Sequence, residues 1–543
     1  MEKAISLNQI GLYNPQRQSG EVAEKLFVVR QKQFELLMER LNKETPNSIP
    51  QHHLIIAQRG MGKTTMLKRI EVELHKKQYR QVFIPLLFPE EQYNLRDLTE
   101  FWLNCLDALA DSLETEKYDA KEIEKIDAHI KELMQSEITE KTDEKLYRYL
   151  LFICKQLKRR PILLIDNIGL VFNRLNKDEQ HILRSCISEN ACPVMIGAGV
   201  SVAGNSDIKE NVIDYKAPFY DFFQIQYLKK LNSKEFMELI RNLATVTQTD
   251  VLITPKEMPR LQTLFQLTGG NPRTAVMLFK LLVKGFSEDI IDDVEALLDE
   301  ITPLYKSRFE ELSAQQQIIL DAIAMNWDAI NLKKISETTR YANNQLSPQL
   351  KRLTENGWIE TTRAYKAKGN AYSISERFFS IWLLMRRGSR RQKKAITYLS
   401  KFLECFYRDE TEKTFNALDA STIPKDVYCL EQTLSELYKR NEGIATQHLS
   451  EALNVIENAF PQDTQSDWEY FAAITVKLGY GQWLLDILEE KGYDIILSPY
   501  FVAIQTFEIG KTKSQEIAEI YLKNQAVEKS EPARIIIEKM KQK

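Results

Sequence analysis

An α/β domain built on a parallel sheet is the fold that the first half of this chain predicts, and three observations carry it. Short unbroken apolar runs recur at 54–57 (LIIA), 82–88 (VFIPLLF), 162–165 (ILLI) and 193–199 (PVMIGAG). Amphipathic helical patterns separate them. The first run opens directly into a glycine-containing turn, QRGMGKTT. Runs with no polar alternation are strands buried on both faces, which a parallel sheet covered by crossover helices requires. The domain is expected over residues 25–225.

The turn concentrates the chemistry. Gly60 and Gly62 permit close approach of backbone to a phosphate, and the helix that follows aims unsatisfied N–H groups at the anion. Lys63 would reach the β- and γ-phosphates of a nucleotide, and the Thr64 hydroxyl would enter a Mg²⁺ shell. Thr65 and the backbone of Ala57, Gln58, Arg59 and Met61 complete this P-loop pattern. The pattern usually starts on glycine; Ala57 holds that place here, and a small residue fits where φ is negative. The plainer alternative, a glycine turn beside an exposed lysine, is disfavoured by the strand before it and the helix after it.

A nucleotide site of this kind also needs a carboxylate that holds Mg²⁺ through water. In RRPILLIDNIG, Asp166 follows four apolar residues and is expected at the carboxyl edge of a neighbouring strand, facing the phosphate loop. The next residue is Asn167, and an amide cannot take a proton from an attacking water. Hydrolysis is therefore expected to be slow, unless Glu90 or Glu91, just past the second run, supplies the base.

Bulk properties bound the rest. A chain of 543 residues is too long for one core and implies about three or four domains. Apolar residues make up 43% and charged residues 27%, and the net charge of −3 gives no global attraction for nucleic acid or acidic membranes. The 6 cysteines are scattered without zinc-like spacing, as expected of reduced thiols. No stretch reads as a signal peptide or a membrane span, so a cytoplasmic location without membrane partners is expected. Residues 114–146 alternate charges and are expected to form solvated helices.

Together, FVVRQKQFELLMERL (27–41), AQRGMGKTT, ILLIDN, VMIGAG, APFYDFFQIQYLKKLNSKEF (217–236) and TGGNPRTAVML (268–278) resemble the STAND and archaeal-type branch of the AAA+ ATPases, over about residues 25–390. The resemblance implies an α/β P-loop NTPase domain with a helical lid at 226–305, a winged helix at 306–394 and an α-helical C-terminal region at 395–543, after an N-terminal extension at 1–24. It places Val28, Val29 and Arg30 near adenine, Pro272 against the nucleotide, and Arg273 near the phosphates as a sensor. It makes Lys63, Asp166, Asn167 and Arg273 the catalytic set. Ser201 falls near a γ-phosphate sensor position, and Arg184 is a candidate trans-acting finger. ATP with Mg²⁺ is the implied cofactor.

Beyond the lid, residues 312–375 read as three helices and two strands around a basic turn, the winged-helix plan. Leu346, Leu350 and Leu353 would bury one helix, leaving Gln345, Gln349, Lys351 and Arg352 outward, with Arg363, Lys366 and Lys368 in the wing. Such residues suit duplex DNA, yet winged helices also dock proteins or lock a nucleotide state. The run Arg386, Arg387, Arg390, Arg391, Lys393, Lys394 is the densest positive patch; it would grip phosphates or simply end a solvated helix. The aromatics before it are expected to pack. Trp468, Tyr470, Tyr480, Trp483 and Tyr500 are likewise expected in a helical, repeat-like core that would engage a protein partner. The reading is an ATP-dependent switch, with a homo-oligomer left open. The alternatives are a DNA-loading ATPase resembling origin-recognition or transposition-targeting proteins, a non-catalytic nucleotide scaffold, or a defence sensor.

Overall fold

The computed structural model describes residues 16, 18–44, 48–89, 95–135, 142–189, 192–200, 212, 215–249, 258–283, 287, 289–407, 424–458 and 465–542. The chain divides into two compact units. The first comprises Met1–Asp250, Asn271–Lys280 and Thr354–Gly357, and the second Val251–Gly270, Leu281–Leu353 and Trp358–Lys543.

The first unit is built on five strands: β1 (His52–Ala57), β2 (Phe83–Leu87), β3 (Arg160–Ile165), β4 (Val194–Val200) and β5 (Phe223–Tyr227). Their order is β2-β3-β4-β1-β5, and every neighbouring pair is parallel. The four apolar runs are β1 to β4. Their side chains alternate between two apolar layers, as a pleated strand covered on both faces requires. Leu54 and Ile56 join one layer with Trp102, Leu146 and Leu183, whereas Ile55 and Ala57 join the other with Leu37, Leu67 and Ile70.

Two features depart from expectation. β5 is an additional edge strand whose Ile225 is 37% and Tyr227 56% exposed. And β3 is not the neighbour of β1, because β4 lies between them. The helix Lys63–Leu74 packs against β2, β3 and β4 as well as β1, so its first turn spans the distance that the intervening strand creates. The helix Ala120–Gln135 is exposed along most of its length, as its charge pattern implies, but Ile123, Ile130 and Leu133 pack onto the core.

In the second unit, helices Ala314–Met325, Leu332–Thr339 and Asn343–Glu355 precede a hairpin of β7 (Ile359–Arg363) and β8 (Asn370–Ile374). A short β6 (Ile330–Asn331) completes an antiparallel sheet of order β6-β8-β7. Leu346, Leu350 and Leu353 are buried, as their spacing predicts. The aromatics Phe378, Phe379 and Trp382 are also buried. Among the described residues nine further helices, from Arg377–Arg387 to Val527–Gln542, follow the hairpin, and the helices Met258–Thr268 and Ile290–Glu310 precede the module. Trp468 and Tyr500 are core residues, and Tyr480 and Trp483 are half-buried. Tyr470 is instead 51% exposed, because it lies on the outward face of its helix between the buried Glu469 and Phe471. No helix among the described residues is long and apolar enough to cross a membrane.

Candidate nucleotide site

The site grows out of the end of β1. Gly60 and Gly62 have φ of +80° and +85°, in the left-handed region where a side chain is strained, and the helix Lys63–Leu74 begins immediately after them. A Cβ added at Gly60 would lie 2.7 Å from Asn271 Oδ1. The loop therefore needs glycine there for space as well as for conformation.

Lys63, the first residue of that helix, is only 7% exposed. Its Nζ donates to the carbonyls of Ala57 and Gln58, each at 3.0 Å. Among the described residues it pairs with no carboxylate, and burial lowers its pKa to about 8, opposed by Asp166 and reinforced by Arg59 and Arg273. A buried ammonium that, among the described residues, is hydrogen-bonded to carbonyls alone can take up an anion.

The next side chain meets the carboxylate that the sequence nominates. Thr64 Oγ1 hydrogen-bonds Asp166 Oδ2, and Asp166 Oδ1 accepts the Asn167 backbone N–H at 2.8 Å. Asp166 is 1% exposed at the end of β3. A hydroxyl and a carboxylate in contact at the mouth of a phosphate loop form an all-oxygen pair of the type that Mg²⁺ prefers. Asn167 opens the helix Ile168–Arg174 at φ 49°, a left-handed position that asparagine tolerates better than most residues. A close packing contact sets that turn over the sheet: a Cβ at Gly197 on β4 would lie 2.5 Å from Ile168 Cδ1.

A residue absent from the sequence-based site list joins the loop to the following helix. Asn271, 4% exposed, accepts the Arg273 N–H on Oδ1 at 2.9 Å and reaches the Arg59 carbonyl through Nδ2 at 3.4 Å. It thereby places half-buried Pro272 and Arg273, the start of the helix Pro272–Val283, beside the phosphate loop. The signal was an asparagine just before a proline at a helix start, a capping arrangement.

The remaining expected residues are more scattered. Val28 and Val29 are half-buried, and Thr65 and Gln58 likewise, while Met61 and Ala57 are buried and Arg59 is exposed. Arg30 is buried at φ 72°; its Nη2 donates to the Lys229 carbonyl at 2.7 Å, and its buried Nε meets no hydrogen-bond partner among the described residues. Arg184 is engaged by its own domain, donating to the Pro218 carbonyl and lying 5.2 Å from the Phe222 ring centroid. Glu90, Glu91 and Ser201 lie outside the described residues.

In the second unit the basic residues are widely shared with acids. Arg386 pairs with Asp299 at 2.7 Å and Arg387 with Asp321 at 3.0 Å, and Arg391 electrostatically opposes the raised pKa that burial gives Asp494. Arg390, Lys351, Arg352, Gln345 and Lys368 are exposed. Gln349 is a correction to the outward helix face: it is half-buried and its Oε1 is enclosed with no hydrogen-bond partner among the described residues, because the position lies beside the Leu346–Leu350 core edge. The β7–β8 turn is held from outside. Asn524 Nδ2 donates to the Arg363 carbonyl at 2.8 Å, its Oδ1 accepts the Tyr365 N–H at 3.2 Å, and Arg363 pairs with Glu516 at 3.4 Å. Lys366 Nζ lies 5.3 Å over the Tyr365 ring.

Residues 27–278 match a family described as an ATPase domain predominantly from Archaea. No curated protein matches the chain. Among solved structures, a Walker-type ATPase of Pyrococcus abyssi is similar at 15% identity, covering 66% of this chain and 96% of its own, with a TM-score of 0.46. The ORC2 protein of Aeropyrum pernix, in ADPNP–ADP complexes, has 15% identity, coverage of 66% and 95%, and a TM-score of 0.46. A STAND protein with a tetratricopeptide repeat sensor from Pyrococcus horikoshii has 14% identity, coverage of 95% and 67%, and a TM-score of 0.27. The five-stranded parallel sheet, with the glycine loop at the end of β1, has the α/β fold of a P-loop NTPase, and residues 27–278 are similar to that archaeal ATPase family.

Proposed function

We propose that this chain is an ATP-binding, slowly hydrolysing ATPase of the AAA+/STAND type, whose nucleotide state governs engagement of a protein partner through the C-terminal helices. The observation that carries the reading is Lys63, buried at the head of the phosphate-loop helix with its ammonium hydrogen-bonded, among the described residues, to two backbone carbonyls and no carboxylate. A triphosphate supplies the negative charge that this position lacks. In this reading Gly60, Gly62, Lys63, Thr64 and Thr65 hold the phosphates. Thr64 and, through water, Asp166 hold Mg²⁺, and Arg273 senses the γ-phosphate from the loop that Asn271 clasps. Val28, Val29, Arg30 and Pro272 face the nucleoside. The proposed division is an ATPase core at 25–225, a lid at 226–305, a winged helix at 306–394 and an interaction region at 395–543.

Slow turnover follows from Asn167, whose amide stands where a carboxylate would activate water. The result is a molecule suited to hold one nucleotide state for long times rather than to cycle quickly. The DNA-loading alternative rests on exposed Arg352, Lys366, Arg390 and Arg391. Against it stand the ion pairs of Arg386 and Arg387 and the hold of Asn524 on the wing, which favour a docking role for this module.

The test is phosphate release from Mg·ATP by the purified chain, with and without duplex DNA, beside Lys63→Ala and Asp166→Ala. Slow release abolished by both substitutions and indifferent to DNA is expected. Turnover that persists in both variants would sink the reading, and strong stimulation by DNA would replace the docking role with DNA loading.

A further inference from the structure

β5 is an edge of the five-stranded sheet, and among the described residues no strand pairs with its outer side. The Leu228 N–H donates to the Ile56 carbonyl at 2.9 Å, so by alternation the backbone groups of Gln224 and Gln226 face β1. Those of Phe223, Ile225 and Tyr227 face outward. The same three side chains share one face of the strand: Phe223 packs against the core, while Ile225 and Tyr227 are exposed. Edge strands are usually blunted by lysine or proline, and FQIQY contains neither, nor any other charge.

The segment is complementary to its own reverse. Centred on Ile225, residues 221–229 (DFFQIQYLK) set Asp221 against Lys229, Phe222 against Leu228, Phe223 against Tyr227 and Gln224 against Gln226. Two copies related by a two-fold axis at Ile225 would exchange hydrogen bonds between the two Ile225 residues and between Phe223 and Tyr227, the residues whose N–H and C=O groups face outward. A register shifted by one residue would set outward groups against inward ones. Cross-strand apolar pairs form on one face in this register, and Asp221 of each copy comes beside Lys229 of the other; both residues are exposed. Gln226 Nε2 donates to the Gln33 carbonyl and Gln224 Nε2 to Gln51 Oε1, so the exposed Leu36 and Ile49 flank the strand and widen the apolar surface. We propose that β5 is a self-association surface, on which a second copy of this chain docks antiparallel to join the two sheets into one. A seam this short suits a reversible dimer rather than a permanent one, for which about 2,000 Å² or more is usual.

Sedimentation velocity of the full chain, without nucleotide, reads the association. The average mass is expected to rise with concentration from that of one chain toward that of two. Ile225→Pro removes an outward N–H and no hydrogen bond to β1, and should weaken the dimer at least about a hundredfold. Asp221→Lys and Lys229→Asp each place two like-charge pairs across the seam and should each weaken it about tenfold, whereas the double variant should return to within about threefold of the parent. Asp221 has φ 53°, a conformation that Lys117 and Lys158 also adopt, so lysine is accommodated there. Unchanged circular dichroism and melting show that each variant is folded. The proposal is overturned if the chain stays a single copy at every concentration, as it would with a different segment or partner on the edge. It is equally overturned if a dimer forms that Ile225→Pro and the single reversals leave intact, or if the double variant fails to restore it.

Discussion

Two buried cations, one in each unit, have opposite surroundings. Lys63 of the first unit is enclosed with two carbonyls and its pKa is pushed down to about 8 by burial. Arg377 of the second unit is 6% exposed, and burial would lower its pKa as well, but Glu528 outweighs that and the net shift is upward. Its guanidinium meets the Glu528 carboxylate at 2.8 and 3.2 Å and the Trp327 carbonyl at 3.2 Å, and the Trp327 indole donates to the same carboxylate. Glu528 is fully buried. The second arrangement is closed, each charge spent on the other. The first has no such ion pair among the described residues, and the two shifts run in opposite directions for that reason.

The largest test of this difference removes Arg377. Arg377→Met leaves Glu528 buried and unpaired, and should cost about 3–5 kcal/mol of the second unit's stability. Hydrogen exchange of the segments 377–387 and 527–542 reads that loss locally. Adding Glu528→Leu should recover most of it, since replacing a whole buried pair by apolar side chains is often near neutral. If Arg377→Met is harmless, the pair does not bind the β-hairpin module to the last helices and the contrast with Lys63 fails.

The same operation on Lys63 should go the other way. Lys63→Met removes a buried charge that, among the described residues, is ion-paired with no carboxylate and whose burial outweighs the pull of Asp166, so the free protein should be as stable as the parent or slightly more so. Nucleotide affinity should fall by about 1.5–3 kcal/mol, a factor of roughly 10–100, as expected for losing hydrogen bonds to a charged group. The lowered pKa adds a pH signature. Phosphates bind the ammonium form, which the free protein loses above pH about 8, so affinity should drop by up to about tenfold per pH unit beyond that point in the parent and not in Lys63→Met. Isothermal titration with Mg·ATP between pH 7 and 9.5 checks both. A parent profile that stays flat would show that Lys63 keeps its proton and that its charge is compensated after all.

Acid separates the units next. His52 is buried in β1 as the neutral ring, Nδ1 accepting the Met195 N–H at 3.0 Å and Nε2 lying 3.0 Å from the Ile187 carbonyl; burial lowers its pKa to about 3. Burial lowers His53 to about 4. A depressed folded pKa means that the unfolded chain takes up the proton first, so the stability these groups contribute is complete above about pH 6.5 and is lost as pH falls toward 4 and then 3. The loss should be up to about 1.4 kcal/mol per pH unit for each ring. Glu528, lowered by Arg377 against the burial that would raise it, keeps its contribution until pH falls below the ordinary carboxylate range. Urea unfolding followed by exchange at pH 7 and pH 5 should therefore show the first unit weakening while the second holds. Parallel weakening of both would break the distinction.

Legibility from sequence follows the same division. β1 to β4 announce themselves because strands buried on both faces are unbroken apolar runs, and the phosphate loop because its chemistry is contiguous in the chain. β5, FQIQY, was not read as a strand: an edge strand covered on one side alternates apolar and polar residues, and five residues of alternation beside a turn are a faint pattern. The order β2-β3-β4-β1-β5 was also out of reach, since the insertion of β4 between β1 and β3 is a matter of which helix crosses which face. Asn271 was missed because its role depends on meeting Gly60, 211 positions away in sequence, a contact that no local pattern encodes. In the second unit the hydrophobic spacing gave Leu346, Leu350 and Leu353 correctly. The partners of Arg363, Arg377 and Tyr365 come from residues 516–528 and could not be read from the motif that contains them.

The smallest expected effect concerns charges that are neither buried nor waiting. Arg390 and Arg391 lie exposed at the start of the helix Arg390–Phe406, where positive charge also faces the unfavourable end of the helix dipole. Exposed ion pairs contribute about 0–1 kcal/mol, so Arg390→Glu with Arg391→Glu should change stability by less than about 1 kcal/mol in either direction and leave Mg·ATP affinity unaltered. Their removal also tests what the run is for. Two phosphate contacts carry a salt-dependent share of any duplex affinity, and their reversal would lower it by tenfold or more at low salt. Fluorescence anisotropy with a labelled duplex distinguishes the outcomes. Unchanged, weak binding leaves these arginines as a solvated helix start. A large salt-sensitive loss would make the patch an open charge of the same kind as Lys63, with nucleic acid as the anion it awaits.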